Sequence, residues 1–385
     1  MERLGDRMKL TIVGWYGTET IGDRAILLGL IDIFSEIDVN LEVSIGSLYP
    51  FYTERALIED SEFVKEINSK CIANCFDVRN KSIAKTVICN SDMVIMGGGP
   101  LTEIYELDYI QSCFELAKKN EIKTGLIGVG IGPLNRKSFI RKIGKIIKKS
   151  DIIITRDRYS MNFIRDIFHY TGVLFFSKDP ASLPTFKDIP YNPGYKDFIV
   201  VNLRKYPFGG AEEKEKINNY LKNLICGLLQ KTDKNILLLS NHYFFLGGDD
   251  REYYYELKEN FPNCRVKIQK ESLSVKEVLS ITKSADFCIG MRYHTVLFQT
   301  YLNGNNYILD YTDPNIGKTI NFINDLEGGL EFYSNRYVNL LSDDIKDLDI
   351  NTVQKVYKIK TTEYEETKKT YVKAINQIID GIKNE

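Results

Sequence analysis

Residues 286–300 read Asp286-Phe-Cys-Ile-Gly290-Met-Arg292-Tyr-His294-Thr-Val-Leu-Phe-Gln-Thr300, a short apolar run that turns at a glycine into a helix-like segment. A strand that leads directly into a helix is the repeating unit of a parallel sheet covered by helices. The first backbone N–H groups of a helix have no intrahelical partners and carry a partial positive charge. Arg292 stands at that point, so the segment predicts an anion-binding site at the end of a strand.

His294 adds a side chain that exchanges protons near neutral pH, which suits an anion that must be processed as well as bound. A purely structural interpretation of the same residues stays open. In it, Gly290 only makes the turn, Arg292 pairs with an acid, and His294 satisfies a hydrogen bond in the core. The remaining sequence has to decide between the two.

Strand-like and helix-like segments alternate along most of the chain, which predicts an α/β fold with doubly wound parallel sheets. Arg24–Ser35, for example, has the three-and-four apolar spacing of a one-sided helix. The predicted strands are Lys9–Val13, Leu41–Ile45, Asp92–Met96, Thr124–Val129, Asp151–Thr155, Val173–Ser177, Phe198–Leu203, Ile236–Ser240, Val266–Gln269, Asp286–Ile289 and Tyr307–Leu309.

A break in this alternation lies at Pro184–Gly194, where three prolines and a glycine disfavour regular structure. We therefore predict two Rossmann-like domains facing a cleft, at residues 1–190 and 195–345. Residues 351–385, rich in Lys, Glu and Thr, are predicted to form a C-terminal helical segment.

Composition excludes several classes of function. The chain has 385 residues and a formal net charge of -1, which disfavours nucleic-acid binding by a polybasic surface. Its seven cysteines are odd in number and include no C-x-x-C pair, so we expect neither a disulfide framework nor a metal site. No stretch approaches the roughly 20 apolar residues of a membrane span. The sequence thus predicts a cytoplasmic protein.

Several loops after predicted strands carry glycines or charges, and ligands of open α/β sheets bind at the carboxyl ends of strands. The loop 14–23 contains Gly17 and Gly22 and ends in Asp23, but it matches neither the dinucleotide fingerprint nor the P-loop. The next glycine-rich loops are candidates for close backbone approach to a ligand or for tight turns. They contribute Gly97, Gly98, Gly99, Glu103 and Gly130.

Four cations stand at or near predicted strand ends, and together they indicate a site for a small dianion. Asp179 follows a strand in the first half of the chain, where it is a candidate acid or base. The four cations are Arg156, Arg204, Arg292 and Lys318.

The order of these loops resembles the polysaccharide pyruvyl transferase family. Thr20 stands where the family usually has Asn, and Arg24 follows Asp23 where an acidic residue is common. The matching elements are Gly17–Asp23 (G-x-x-N-x-G-D), Gly97–Leu101 (G-G-G-x-L), Gly128–Pro133 (G-x-G-x-G-P), Arg156–Ser160 (R-D-x-x-S), Asp179–Ala181 (D-P-A), Gly290–His294 (G-x-R-x-H) and, more loosely, Tyr311–Lys318 (Y-x-x-K).

The resemblance implies a glycosyltransferase-B-like scaffold and transfer of a carboxyethylidene group from phosphoenolpyruvate to two hydroxyls of a sugar. On that basis the N-terminal domain is expected on the acceptor side and the C-terminal domain on the phosphoenolpyruvate side. The four cations would hold the donor, His294 would be the general acid, and the base is left open among Asp23, Asp179 and Glu103. The scheme needs no metal or other cofactor.

Three other functions stay open: a sugar-nucleotide glycosyltransferase, a non-catalytic saccharide-binding relative, and an enolpyruvyl transferase that stops at the vinyl ether. The resemblance implies a saccharide acceptor, either nucleotide-linked or lipid-linked. Peripheral contact with the inner face of a membrane and the oligomeric state are not determined by the sequence.

Overall fold

The computed structural model describes residues 7–18, 20–192, 194, 196–245, 247–262, 265–347 and 356–383. These fall into two compact units. The first comprises the described residues of Met1–Glu19, Asp23–Phe186 and Thr361–Glu385, and the second those of Thr20–Gly22 and Lys187–Lys360. The division between Phe186 and Lys187 lies within the proline-rich stretch 184–194.

The first unit contains a seven-stranded parallel sheet in the order β3-β2-β1-β4-β5-β6-β7. Its central strands are buried along almost their whole length and read as continuous apolar runs, as a sheet covered on both faces requires. The strands are β1 (Met8–Val13), β2 (Leu41–Ser47), β3 (Ile72–Asp77), β4 (Met93–Leu101), β5 (Lys123–Ile131), β6 (Ile152–Thr155) and β7 (Val173–Phe176).

Helices connect these strands, and a 3-10 helix at Pro180–Phe186 follows β7. One or two α-helices join each strand to the next in the chain and bury an apolar face. They are α1 (Ile21–Ser35), α2 (Pro50–Glu59), α3 (Ser61–Ile67), α4 (Lys81–Cys89), α5 (Leu107–Lys119), α6 (Lys137–Lys148) and α7 (Arg158–Phe168).

The second unit repeats this plan with a six-stranded parallel sheet in the order β10-β9-β8-β11-β12-β13. Both sheets therefore have the strand order of a Rossmann fold, in which the order reverses beside the first strand. The strands are β8 (Phe198–Asn202), β9 (Asn235–Leu238), β10 (Val266–Ile268), β11 (Phe287–Gly290), β12 (Asn306–Asp310) and β13 (Tyr337–Asn339). The helices are α8 (Ala211–Lys231), α9 (Asp250–Glu259), α10 (Val275–Ser284), α11 (Tyr293–Leu302), α12 (Lys318–Asn324) and α13 (Gly329–Tyr333).

The C-terminal helix α14 (Glu363–Lys383) packs on the first unit. The Tyr371 hydroxyl donates a 2.6 Å hydrogen bond to the carbonyl of Lys178, and the Tyr364 hydroxyl donates one of 2.7 Å to Asp32 in α1. Residues 351–355 of the predicted helical segment lie outside the described residues, and the helix begins only at Glu363.

All eleven predicted strands are present, with ends within a few residues of those predicted, and two further strands, β3 and β13, were not predicted. Within the described part of the chain, no helix combines the length and apolar character needed to cross a bilayer.

Candidate active site

The densest group of predicted site residues lies at the carboxyl ends of two neighbouring strands, β8 and β11, in the second unit. These two strands pair in parallel, and the strand order of the sheet reverses at this point. Arg204 comes two residues after β8, and Arg292 comes two residues after β11. In Rossmann-like folds this position is where ligands bind, so the topology brings the two arginines to the expected place.

Arg292 is the N-cap residue of α11 and pairs with Asp250, the first residue of α9. Its Nε donates to both carboxylate oxygens at 2.8 and 3.0 Å, and its Nη2 donates to Asp250 Oδ1 at 2.5 Å and to the carbonyl of Gly248 at 3.1 Å. Burial alone would lower the pKa of Arg292, but the charge and hydrogen bonds of Asp250, together with Tyr311 and Tyr254, outweigh it and raise the pKa. Asp250 is fully buried and fixes the orientation of the guanidinium.

Arg204 is held by the same loop that holds Arg292. Its Nη2 donates a 3.0 Å hydrogen bond to the carbonyl of Gly247, the neighbour of Gly248. Its Nη1 donates to the Tyr311 hydroxyl at 3.1 Å, and its guanidinium carbon lies 5.2 Å from the Tyr311 ring centroid. The loop Gly247–Asp250 therefore positions both arginines.

Three cations act on the buried phenol of Tyr311, which follows β12 directly. Burial by itself raises the pKa of this phenol, but the charges of Lys318, Arg204 and Arg292 outweigh burial and lower the pKa to about 8. Lys318 also lies 5.9 Å from the ring centroid of Tyr293, beside His294. The field around Tyr311 is thus strongly positive, as an anion site requires.

A buried amide network fixes the start of α11. Asn202 Oδ1 accepts hydrogen bonds from the Arg292 backbone N–H at 3.2 Å and from the Thr295 hydroxyl at 3.0 Å. Its Nδ2 donates to the Leu239 carbonyl at 3.0 Å. Asn241 Nδ2 donates to the Thr295 hydroxyl, so the strand ends of β8 and β9 hold the helix terminus in place.

His294 is the second residue of α11, beside Arg292. Its ring lies 5.0 Å from that of Tyr293 and is stacked at 6.4 Å on that of Phe298. The segment Thr20–Gly22 lies in the same unit, where Ile21 N–H donates a 3.0 Å hydrogen bond to the Asn241 carbonyl. This arrangement brings the backbone of Gly22 against the His294 imidazole.

Gly22 is needed because a Cβ atom there would overlap Nδ1 and Cγ of His294. We expect Gly22→Ala to displace the imidazole and to lower the rate of the pyruvyl transfer that the sequence resemblance implies by roughly 100-fold, since a misplacement of about 1 Å has an effect of that size. Release of phosphate from phosphoenolpyruvate, the donor that the resemblance implies, measures this effect in wild type and variant.

The matched control is Gly227→Ala in α8, where no described atom lies within 4 Å of the added methyl group. It should leave the rate unchanged. Combining Gly22→Ala with His294→Ala should add no further loss, because the clashing ring is gone. A full additional loss in the double variant would contradict the proposed contact.

Arg156 and Asp179 form a buried ion pair in the first unit. Arg156 Nη1 lies 3.0 Å from Asp179 Oδ2, and both side chains are almost fully buried. Asp179 Oδ1 also accepts a hydrogen bond from the Ala181 backbone N–H at 2.9 Å, and a Cβ at Gly130 would lie 2.8 Å from Arg156 Nε. The pair therefore joins the end of β6 to the 3-10 helix.

Glu103 and Asp23 also lie in the first unit. Glu103 accepts hydrogen bonds from the backbone N–H groups of Asn135 and Arg136 and pairs with the Arg136 guanidinium at 2.7 Å. The backbone and side chain of Arg136 lower the pKa of Glu103. Asp23 lies in the first turn of α1. The pKa of the nearby Tyr16 phenol is raised by burial and by the charge of Asp23.

The three consecutive glycines Gly97–Gly99 belong to β4, which continues to Leu101. A Cβ at Gly98, where φ is +70°, would meet Ile26 of α1, and one at Gly99 would meet Trp15. Close packing of β4 against α1 and Trp15 accounts for these glycines. Gly17 likewise lies against Ser47 and Tyr49.

The structure thus brings Arg204, Arg292, Lys318 and His294 together in the second unit. The other predicted side chains, Arg156, Asp179, Glu103 and Asp23, lie in the first unit. Their individual roles stay predictions. Two residues of the cluster were not predicted as site residues: Tyr311, which the loose Y-x-x-K element contains, and Asp250, in the acidic loop after β9.

A family model described as "Polysaccharide pyruvyl transferase" matches residues 21–311, which is most of the chain. The match spans the loops after β8 and β11 and ends at Tyr311. No curated protein sequence matches the chain significantly.

Many solved structures share the fold. MnaA from S. aureus in a co-structure with UDP is 13% identical, with a TM-score of 0.55 and coverage of 97% of this chain and 88% of that chain. A UDP-GlcNAc 2-epimerase from Methanocaldococcus jannaschii is 12% identical, with a TM-score of 0.54 and coverage of 97% and 99%. A glycosyltransferase from Rickettsia africae is 11% identical, with a TM-score of 0.56 and coverage of 98% of both chains. These likenesses confirm the predicted pair of Rossmann-like, glycosyltransferase-B-like domains and concern the fold alone.

Proposed function

Because the chain belongs to the polysaccharide pyruvyl transferase family, we propose that it transfers a carboxyethylidene group from phosphoenolpyruvate to two hydroxyls of a saccharide. The product is a pyruvate ketal on a precursor of a cell-surface polysaccharide. The acceptor is a sugar carried on a nucleotide or on a lipid.

One observation carries this proposal: Arg204, Arg292 and Lys318 all act on the buried Tyr311 phenol. Phosphoenolpyruvate presents a phosphate and a carboxylate, so it needs several cations within a small volume. Arginine binds such groups with two parallel hydrogen bonds, and lysine acts as a point charge. The loop Gly247–Asp250 holds both guanidinium groups in place before a ligand binds.

The reaction can be assigned to these residues. His294 in its cationic form gives a proton to the C3 methylene of phosphoenolpyruvate, which makes C2 electrophilic. The first sugar hydroxyl forms a C–O bond to C2 and loses its proton. The bond between C2 and the phosphate oxygen then breaks, and the second hydroxyl closes the ketal and returns a proton to His294, while the proton of the first hydroxyl ends on the inorganic phosphate. Arg204, Arg292 and Lys318 stabilise the departing phosphate.

The base that accepts the hydroxyl proton remains one of Asp23, Asp179 and Glu103. Of these, Asp179 and Glu103 are each held by an arginine, which stabilises the ionised carboxylate. Asp23 lies in the first turn of α1, where the helix dipole also favours a negative charge.

The first test is calorimetric titration of phosphoenolpyruvate into wild type, Arg204→Gln and Lys318→Gln. We expect wild type to bind and each variant to lose at least about tenfold in affinity, because a charged hydrogen-bonding partner contributes roughly 1.5–3 kcal/mol. Arg292 is a poorer choice for this test, since its removal would leave the buried Asp250 carboxylate without its counter-ion.

Lys205→Gln is the matched control. Lys205 follows Arg204 directly but is exposed and pairs with Glu256 at 2.7 Å. It should leave binding unchanged. If folded wild type turns over UDP-GlcNAc in the absence of phosphoenolpyruvate and does not bind phosphoenolpyruvate, the donor assignment is wrong and a sugar-nucleotide glycosyltransferase takes its place. Phosphate release with a panel of nucleotide-linked and lipid-linked sugars then identifies the acceptor.

A pH dependence follows from Tyr311. Its pKa of about 8 belongs to the protein in which the three cations face the phenol. A bound dianion neutralises these cations, so it favours the neutral phenol and raises its pKa. By linkage, phosphoenolpyruvate affinity should fall above pH 8, approaching tenfold per pH unit, as the free protein forms the phenolate. The ligand itself adds no comparable slope, because phosphate monoesters complete their ionisation near about pH 6.

Calorimetry from neutral to alkaline pH measures this slope, and Tyr311→Phe should remove it. Tyr206→Phe is the control, because burial raises the pKa of Tyr206 to about 12 and it does not titrate in this range. A slope that persists in Tyr311→Phe would show that another group is responsible.

A further inference from the structure

The segment between Glu121 and Asp151 holds eight Lys and Arg residues and no acidic residue, although the whole chain has a net charge of only -1. Most of these cations belong to or flank α6. Neither the donor site nor the proposed chemistry uses them. This concentration of charge is the strongest surface feature that the proposed function does not explain.

Helix α6 has two sharply different faces. Phe139, Ile143, Ile146 and Ile147 are buried in the core of the first unit. The opposite face carries side chains at spacings of three and four residues, which places them in one row along the helix. We call this row the basic face; it consists of the exposed residues Lys137, Arg141, Lys145 and Lys148.

The four residues of the basic face have no ion pair with any described residue. Two neighbouring cations outside the basic face do form ion pairs, Arg136 with Glu103 and Lys142 with Asp108. Like charges four residues apart destabilise a helix, so the basic face works against the stability of α6. Such a row is expected where an external anionic surface compensates the repulsion.

One exposed aromatic side chain lies beside Arg136, the residue that directly precedes the basic face. Tyr105 is 71% exposed, its ring lies 5.6 Å from that of Phe139, and its hydroxyl interacts with Arg136. Tyrosine rings with a polar tip suit the headgroup level of a bilayer.

From these observations we propose that the basic face of α6, together with Tyr105, docks the first unit onto an anionic lipid surface. The row spans about 16 Å along the helix, from 1.5 Å per residue. Three of its four cations are lysines, which act as flexible point charges for headgroups rather than as forks for one defined ligand. An extended convex row fits a bilayer better than it fits a single saccharide, which needs a groove.

The test is co-sedimentation of the full chain with vesicles of phosphatidylcholine alone and of phosphatidylcholine mixed with phosphatidylglycerol. We expect binding only to the anionic vesicles, and a loss of binding at high salt, where the screening length falls from about 10 Å at 0.1 M to about 3 Å at 1 M. The variant Lys137→Gln, Arg141→Gln, Lys145→Gln, Lys148→Gln should bind at least about 100-fold more weakly.

A matched variant separates position from net charge. Lys196→Gln, Lys231→Gln, Lys267→Gln, Lys270→Gln removes four exposed lysines of the second unit and changes the net charge equally. It should bind like wild type. Binding that is equal in wild type and the α6 variant, that is lost equally in the matched variant, or that is indifferent to salt would overturn the proposal. Binding to a soluble acidic polysaccharide, with no binding to the anionic vesicles, would also overturn it. Phosphoenolpyruvate titration of each variant reports separately on the donor site, so failure of one proposal is distinguishable from failure of the other.

Discussion

Replacing His294 by alanine is expected to lower the kcat of pyruvyl transfer by roughly 10²–10⁴-fold, the usual contribution of a positioned general acid. Phosphoenolpyruvate should still bind within a few-fold of wild type, because the arginines are held by Gly247, Gly248 and Asp250 and not by the imidazole. Phosphate release gives kcat with the acceptor that wild type uses fastest, and calorimetry gives the affinity.

The chain has three histidines, so the other two were considered as controls for the His294 substitution. His169 is exposed at the end of α7 in the first unit, and His242 is buried in the second unit after β9. His169→Asn should leave kcat within a few-fold, whereas His242 is unsuitable as a control because its backbone N–H donates to Asp250. If His294→Ala kept most of its activity, or if it lost affinity for the donor to the same extent as kcat, the role of general acid would be wrong.

The alternation of apolar strands and amphipathic helices was sufficient to predict both sheets. Central strands such as β6, Ile152–Thr155, are buried throughout, so their sequences are unmistakably apolar. The two strands that the sequence did not reveal lie at sheet edges. β3, Ile72–Asp77, has Phe76 as its one buried residue and otherwise exposed and half-buried residues, and β13, Tyr337–Asn339, has three residues. Their pairing is set by the neighbouring strand and leaves little apolar signal of its own.

The sequence could predict which residues of the candidate site lie close together, where their positions after the strands decide it. Arg204, Arg292 and His294 follow strands, and the carboxyl ends of adjacent parallel strands meet at one edge of a sheet. The sequence could not assign their partners, because Asp250 and Arg292 are 42 residues apart. The structure shows that Arg292 does pair with an acid, as the structural interpretation of the segment 286–300 had it. Asp250 occupies one edge of the guanidinium, and the side chain of Arg292 remains 15% exposed.

For the glycine-rich segment Gly97–Gly99, the sequence left two interpretations open. Three adjacent glycines suggested either close approach to a ligand or a tight turn. The structure adds a further reason, because contacts of β4 with α1 and with Trp15 leave no room for a side chain there. A role of these glycines in ligand binding stays a prediction. Packing between elements that are distant in sequence cannot be read from the segment alone.

The Asp250–Arg292 pair should contribute strongly to the free energy of unfolding. Asp250 is fully buried, and one of its oxygens also accepts hydrogen bonds from the backbone N–H groups of Asn241 at 3.1 Å and His242 at 3.2 Å. Asp250→Asn would leave Arg292 without its counter-ion. We expect the free energy of unfolding to fall by roughly 3 kcal/mol, the lower end of the range for breaking a buried pair, because Arg292 keeps some contact with solvent. Urea unfolding measures this change.

Asp249→Asn provides the comparison at the neighbouring position. Asp249 caps α9 through the Arg251 backbone N–H at 2.9 Å and pairs with the partly exposed Arg251 guanidinium. Asparagine caps a helix as well as aspartate does, and a pair of this kind contributes up to about 1 kcal/mol, so this variant should lose less than that. Asp250→Asn should in addition weaken phosphoenolpyruvate binding, because Arg292 is no longer oriented, whereas Asp249→Asn should not. Equal losses of stability in the two variants, with donor binding intact in both, would mean that Arg292 needs no buried carboxylate to hold its position, and the anion site would then have to be organised by the carbonyls of Gly247 and Gly248 alone.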